Sequence, residues 1–383
     1  MPRRVRILAP VLLLALPAAG AEPPFRLELS VGVSRETIAI DRPLVVLDGT
    51  PSAGYDYSAD ENMRTLEVAA TRWFGGVRDD GTTPLALLPY VARASGVSAR
   101  VAASGTSRDS FGRASGQLAT YEVRYSGDGS VREAELSGEW FVGRRLALRG
   151  GLEHGRERET AASTSIESPS GRADLSTATT WATATAGTLG VAVRFGEHEV
   201  SVSGSYGVSD RSREDATVFT GGAQPLFSRL TTDGVTRRGR VATRLLLLRR
   251  KLVVDVSGEY ALATSSSDLD TTLSGPYAKG RTIGRRATLE ATWYPTRRLA
   301  VGGGLAYETR DASSGSARAL RPSSEETTRT LGFAARWFAT ERAAVTFDAS
   351  RSEAESISPP GGSTYQRFDE TTTRLVLGAA VRF

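Results

Sequence analysis

The chain has 383 residues, no cysteine, 40 glycines and 24% charged side chains, so it carries neither a disulfide framework nor a thiolate metal site. Its 48 basic and 43 acidic residues give a formal charge of +5 without any run of one sign, which removes the electrostatic footprint a nucleic-acid partner needs. Beyond the amino terminus, no stretch approaches the roughly 18 consecutive apolar residues of a membrane-spanning helix.

The first element is a secretory leader. Arg3, Arg4 and Arg6 form a positive start, Ile7 to Leu16 an apolar stretch, and Ala19-Gly20-Ala21 a small-residue cleavage site. Residues 1–21 are therefore expected to be removed, and the mature chain 22–383 to begin at Glu22. The apolar stretch, broken by Pro10, is too short to stay in a bilayer as an anchor. No cysteine follows it, which excludes a lipoprotein. Losing three arginines leaves 45 basic against 43 acidic residues.

From Phe25 onward the dominant signal has period two. In Phe25 to Ser34 every odd residue is apolar and every even one polar or Gly, so a strand here has one apolar and one polar face. The pattern returns at Val254 to Leu262, Ala287 to Trp293, Leu299 to Tyr307 and Leu331 to Trp337. Tight turns join some strands: Gly196-Glu197-His198, Arg249-Arg250-Lys251, Pro295 to Arg298 and Ala339 to Arg342. Long polar connections, 156–175, 210–235, 264–283, 311–327 and 353–370, join the others. Short turns at one end and long connections at the other mark a transmembrane barrel, the one β-structure that satisfies its backbone in lipid.

Bulky residues close alternate strands at Trp73, Trp140, Phe195, Leu248, Trp293, Trp337 and Phe383. Each interval fits one hairpin, which with Phe25 to Trp73 gives fourteen strands. The interval from Trp73 to Trp140 is the longest. It contains 79–94, where Pro84 and Pro89 make a poor central strand. This segment is expected to be a periplasmic turn or a short helix, and whether it stays in the periplasm or folds into the barrel mouth as a plug is left open. The alternative makes Ser95–Gly105, Gln117–Tyr125 and Arg132–Trp140 separate strands with a turn at Gly127-Asp128-Gly129, and adds one more strand near 85–94, for sixteen in all.

At the carboxyl end Leu375, Leu377, Ala379, Val381 and Phe383 alternate to the last residue. This ending resembles the terminal strand of bacterial outer-membrane β-barrel (porin-like) proteins. The resemblance implies an outer-membrane location, short periplasmic turns, and recognition of Phe383 by the barrel-assembly machinery. The fold class expected is all-β: a transmembrane antiparallel up-and-down barrel. A secreted soluble all-β protein would also alternate, but has no reason to combine the aromatic girdle, the final Phe and the turn asymmetry.

By parity the polar face carries Arg26, Glu28, Glu67, Glu135, Arg149, Arg244, Asp255, Glu259, Arg286, Glu290, Glu308, Arg336, Asp348 and Arg374. They are candidate pore-lining residues, or rungs of a cross-strand ion-pair ladder. Trp73, Trp140, Trp181, Trp293, Trp337 and Phe383 are candidate membrane-interface aromatics. No catalytic, cofactor or metal site is expected. His154 and His198 fall at opposite barrel ends, and Asp268, Asp270, Asp56, Asp60 and Glu61 match no metal-binding loop. Gly302-Gly303-Gly304 lies in a strand and is no phosphate loop. Arg156, Arg158, Arg211 and Arg213 lie at strand tops, where anionic headgroups would be.

Size excludes a TonB-dependent transporter. The expected function is passive or selective diffusion of small hydrophilic solutes. The alternative is a non-transport surface barrel (receptor, adhesin or assembly partner) acting through its outer loops, and the least favoured is an outer-membrane hydrolase. Partners expected are outer-membrane lipid and lipopolysaccharide, the assembly machinery and the solutes, with homo-oligomers left open.

Overall fold

Alternating faces need a closed sheet if lipid lies on one side, and the computed structural model has one. It describes residues 24–43, 54–115, 120–168, 173–219, 226–271, 278–316, 319–358 and 366–383. Fourteen strands run in order: β1 Phe25–Pro43, β2 Gly54–Val77, β3 Gly96–Ser115, β4 Thr120–Val142, β5 Leu146–Ser168, β6 Ala173–Phe195 and β7 His198–Phe219. The rest are β8 Leu226–Leu247, β9 Leu252–Thr271, β10 Ala278–Thr296, β11 Leu299–Ser316, β12 Ala319–Phe338, β13 Ala343–Ser358 and β14 Gln366–Arg382. Every neighbour pair is antiparallel, and β1 with β14 closes the barrel through pairs such as Leu29 with Val381. The sixteen-strand alternative is overturned. β4 passes straight through Gly127-Asp128-Gly129, paired with β3 and β5 on either side.

The outer face is the apolar one. Val31, Val33, Leu66, Val101, Leu136, Leu152, Leu189, Leu305, Leu331 and Leu377 all stand exposed on it. A lower aromatic ring is formed by Phe74, Trp140, Phe195, Trp293, Trp337 and Phe383, all exposed. Tyr206, Tyr260 and Tyr307 stand eight residues along their strands from His198, Leu252 and Leu299. At about 3.3 Å per residue and a tilt near 40°, that is a height of roughly 20 Å, close to the apolar band of a membrane barrel.

The strands do not stop there. They are 16 to 24 residues long, against the roughly 9–11 that cross a bilayer. The long polar connections are built mostly as paired strand: 156–168 belongs to β5, 210–219 to β7, and 264–271 to β9. Both faces there are wetted, so polarity on both sides reads as loop in sequence, while the antiparallel neighbours still satisfy the backbone.

Two turns are unusual. Gly75 (φ 90°) and Gly76 (φ 75°) swing the chain off β2 in a left-handed conformation that glycine adopts without penalty. Between β8 and β9, Leu248, Arg249 and Arg250 take φ of 51°, 53° and 69° in succession. Side-chain-bearing residues there cost roughly 1–2 kcal/mol each, a strain offset by what Arg250 holds.

The segment between β2 and β3 enters the mouth at the short-turn end. Thr83 is buried, a 3-10 turn covers Leu85–Leu87, and a one-turn helix α1 covers Leu88–Val91, closed by Arg93 at φ 52°. Leu85 and Leu88 pack with Phe25, Trp73, Val77, Phe338 and Ala344. Leu87 packs with Leu246, Val253, Tyr294 and Ala300 on the opposite side. These two clusters join β1, β2 and β8 to β13 through one short segment.

Two expectations are corrected here. Trp73 is not an interface aromatic: it is 8% exposed, its ring 5.3 Å from that of Phe25. Alternation from Leu66 and Val68 runs unbroken, so Trp73 shares the inner face with Glu67, and Phe74 takes the outward place against Trp140. Arg26 does not line the lumen. A register shift between Phe25 and Leu27 turns Phe25 into the core and leaves Arg26 exposed at the rim.

Candidate functional site

The inner face is built from the residues that alternate with the outward apolar ones along each strand, and these are mostly polar. Its Ser and Thr hydroxyls pair across strands, as Thr65 with Ser104, Thr71 with Ser98 and Ser257 with Thr288, each at 2.7–2.8 Å. Its charges form rows. Arg240, Glu259, Arg286 and Glu308 stand directly opposite one another across β8 to β11, alternating in sign. Glu199, Arg244, Asp255 and Glu290 make a second row, in which Arg244 Nε donates to Asp255 Oδ1 at 2.7 Å. Arg149 bonds Glu139 at 2.6 Å and Glu199 at 2.5 Å. Arg100 lies 2.9 Å from Glu67 and 3.7 Å from Glu135. Asp348, Arg374, Glu28 and Arg336 border one further cavity.

The candidates placed on the polar face by parity are thus brought together in rows, apart from Arg26. Arg100, Glu139, Arg194, Glu199, Arg240 and Arg382 are missing from that set, although each falls on the inner face by the alternation of its own strand. Among the aromatics, Trp140, Trp293, Trp337 and Phe383 face outward at the lower ring, and Trp181 faces outward far above it on β6. His154 also faces outward, its Nδ1 2.9 Å from the Thr185 hydroxyl. His198 Nδ1 accepts the Leu246 N–H at the short-turn end. Asp268 and Asp270 lie on β9, and Asp56, Asp60 and Glu61 on β2. Among the described residues no group of three His, Cys, Asp or Glu could hold a metal.

Segment 79–94 is held by two buried arginines of the wall, each joining a wall carboxylate to a carbonyl of that segment. Arg382, 2% exposed, donates through Nε to Glu28 (2.6 Å) and through Nη1 to the Leu85 carbonyl (2.9 Å). Its guanidinium lies 4.6 Å from the Phe25 ring and 4.8 Å from that of Phe338. Glu28 is also held by Arg336. On the far side Arg194, also 2% exposed, donates to Glu199 (2.8 Å) and to the Tyr90 carbonyl (2.7 Å). It is stacked 3.9 Å over Tyr90 and 4.4 Å over Phe141. Arginine suits both places because its planar fork bonds two acceptors while its face stacks on rings.

Turn residues complete the attachment. Arg297 pairs with Asp79, and Arg250 with Glu197 while donating to the Thr83 hydroxyl at 2.7 Å. Burial pushes the Tyr90 hydroxyl up to about 12, so it stays a donor to the Glu197 carbonyl. Asp80 accepts the Thr82 and Thr83 N–H groups and the Thr83 hydroxyl. Burial works against its charge, but these bonds win and hold its carboxyl well below the usual 3.8. A depressed acid contributes stability that is complete above its unfolded value and is lost as pH falls through the folded one. Acidification from pH 7 to about 4 should therefore leave the turn intact. Asp80→Asn should lower amide-exchange protection at Thr82 and Thr83 by roughly tenfold at neutral pH. Unchanged protection would mean that the turn is held from elsewhere.

Above this segment, the lumen opens into a cavity of about 620 Å³ bordered by Trp73, Glu139, Arg149, Glu199, Arg244 and Asp255.

No protein-family model and no curated protein matches this chain. Solved structures do. The P. putida toluene transporter TodX is 10% identical over 94% of this chain and 91% of that one, with a TM-score of 0.55. A Pseudomonas aeruginosa FadL homologue is 12% identical over 94% and 90%, with a TM-score of 0.51. Identities this low show the shared fold, a fourteen-strand barrel of the outer-membrane type.

Proposed function

We propose that the protein is a porin-like outer-membrane channel for small hydrophilic solutes, closed at its periplasmic mouth by residues 79–94. The observation that carries the reading is a charge-laddered, hydroxyl-rich inner face running up from that plug. Residues 1–21 act as the export leader in this reading, and the strand ending at Phe383 is what the assembly machinery engages. Short turns then face the periplasm and the tall strand extensions face outward.

The similar structures include a protein named for toluene, an apolar solute. Apolar ligands take pockets lined mainly by hydrophobic and aromatic side chains. Here one aromatic, Trp73, borders the cavity of about 620 Å³, with Leu152, Val256, Ala94 and Ala242 and with ionic and hydroxylic side chains such as Glu139, Arg149, Glu199, Arg244, Asp255, Ser257 and Thr288. Such a lumen favours solutes that exchange hydrogen bonds with water for hydrogen bonds with the wall.

Swelling of liposomes containing the mature chain tests this. Small sugars and amino acids should enter once the plug is displaced, and entry of hydrocarbons alone would contradict the reading. Because the wall carries both signs, a salt gradient across the open channel should give a reversal potential close to zero. A strong preference for one ion would contradict the inward placement of these rows.

A further inference from the structure

Several arginines inside the barrel have carboxylate partners, as Arg100, Arg149 and Arg244 do; several on the outside have none among the described residues. Eight residues up from Trp140, Trp293 and Trp337 stand Arg132, Arg285 and Arg329, each outward by the alternation of its strand and each exposed. Arg285, which lies 3.9 Å from Asp311, is directly opposite Tyr260, and Arg329 is opposite Tyr307 on one side and Glu353 on the other, so both lie at the upper edge of the apolar band. At the same level two pairs of like charge face each other across strands: Arg35 of β1 with Arg64 of β2, and Arg132 of β4 with Arg156 of β5. Like charges directly opposite destabilise a sheet. Among the described residues Arg35 bonds only the Asn62 amide, Arg156 bonds only His154, and Arg64, Arg132 and Arg329 have no ion pair. The next outward residues up are uncharged on β1, β2, β4 and β12, as Thr37, Asn62, Ser130 and Thr327, and basic on β5, as Arg158. Of the four strand-top arginines singled out in the sequence, Arg156 and Arg158 face outward, whereas Arg211 and Arg213 share the inner parity of β7.

We propose that this belt binds the phosphate groups of a phosphorylated glycolipid in the outer leaflet, with Arg35–Arg64 and Arg132–Arg156 as the two primary clamps. A phosphomonoester set between two guanidinium forks turns repulsion into charge-assisted hydrogen bonding. The apolar surface below and the tyrosines beside the belt would receive acyl chains and the sugar edge. The site is distinct from the lumen and independent of what the lumen conducts.

The test uses the refolded mature chain and two probes, diphosphoryl lipid A and its dephosphorylated form, with lipid retention read by native mass spectrometry. The variant carries Arg35→Gln, Arg64→Gln, Arg132→Gln and Arg156→Gln. The wild type should retain the diphosphoryl probe, and the variant should bind it at least about tenfold more weakly. In neutral detergent alone the variant should unfold at a higher temperature than the wild type, because the like-charge pairs are relieved. That order should reverse with diphosphoryl lipid A present. Each two-residue variant, one per clamp, should lose part of the retention, which keeps the test open if the fourfold variant misfolds. Arg158→Gln, one step higher on β5, should bind as wild type does. Equal retention by the variants, or equal binding of the dephosphorylated probe or of phosphatidylglycerol, would overturn the assignment.

Discussion

Arg382→Met is expected to leave the barrel closed on itself and its plug unlatched on one side. Methionine keeps much of the packing against Phe25 and Phe338. It removes the bond to the Leu85 carbonyl and leaves Glu28 to Arg336 alone. Removing one partner of a buried ion pair costs about 3–5 kcal/mol. If half of that falls on the docked state of the plug, the open population rises by roughly tenfold or more, since 1.4 kcal/mol is a factor of ten. The readout is the frequency of brief openings in a planar bilayer, beside hydrogen exchange of 79–94 and of the β1–β14 seam. Faster exchange in the plug with an unchanged seam is the expected outcome. Loosening of the seam alone would make Arg382 a staple of barrel closure.

Arg194→Met should release the opposite side by the same logic. Glu199 keeps Arg149, so the wall loses little, while Tyr90 loses a donor to its carbonyl and the cation stacked on its ring. A drop in plug stability of about 2–4 kcal/mol is expected. The two latches lie on different strands and share no partner, so their effects should add within about 0.5 kcal/mol. The double variant should then approach the behaviour of a barrel with no plug. Arg194→Lys should restore little, because an ammonium cannot stack and fork at once.

The barrel itself was legible in the sequence because lipid forces alternation. Leu331, Phe333 and Trp337 must share a face if they share a membrane, and the charged residues between them must share the other. Alternation is silent where both faces meet water, which is why 156–168 reads as loop and is strand. Trp73 was misassigned by its type: tryptophan favours interfaces, but the parity that put Glu67 inside puts Trp73 inside too. Arg26 failed through a register shift that no local pattern announces. The prolines of 79–94 disclosed that it is not a strand, and nothing near it discloses its fastenings. The carbonyl of Tyr90 is 104 residues from Arg194 and that of Leu85 is 297 from Arg382. Such contacts are made by barrel closure, which brings the first and last strands together.

The most direct test of a plugged hydrophilic channel is conductance in planar bilayers of the mature chain 22–383 beside a variant in which a short Gly-Ser turn replaces 79–94. Both proteins are first shown to be folded by heat-modifiable gel mobility. The account predicts a nearly silent wild type and a large, weakly selective, steady conductance in the variant. Equal conductance in both would show that the segment does not close the lumen, and silence in both would contradict a channel.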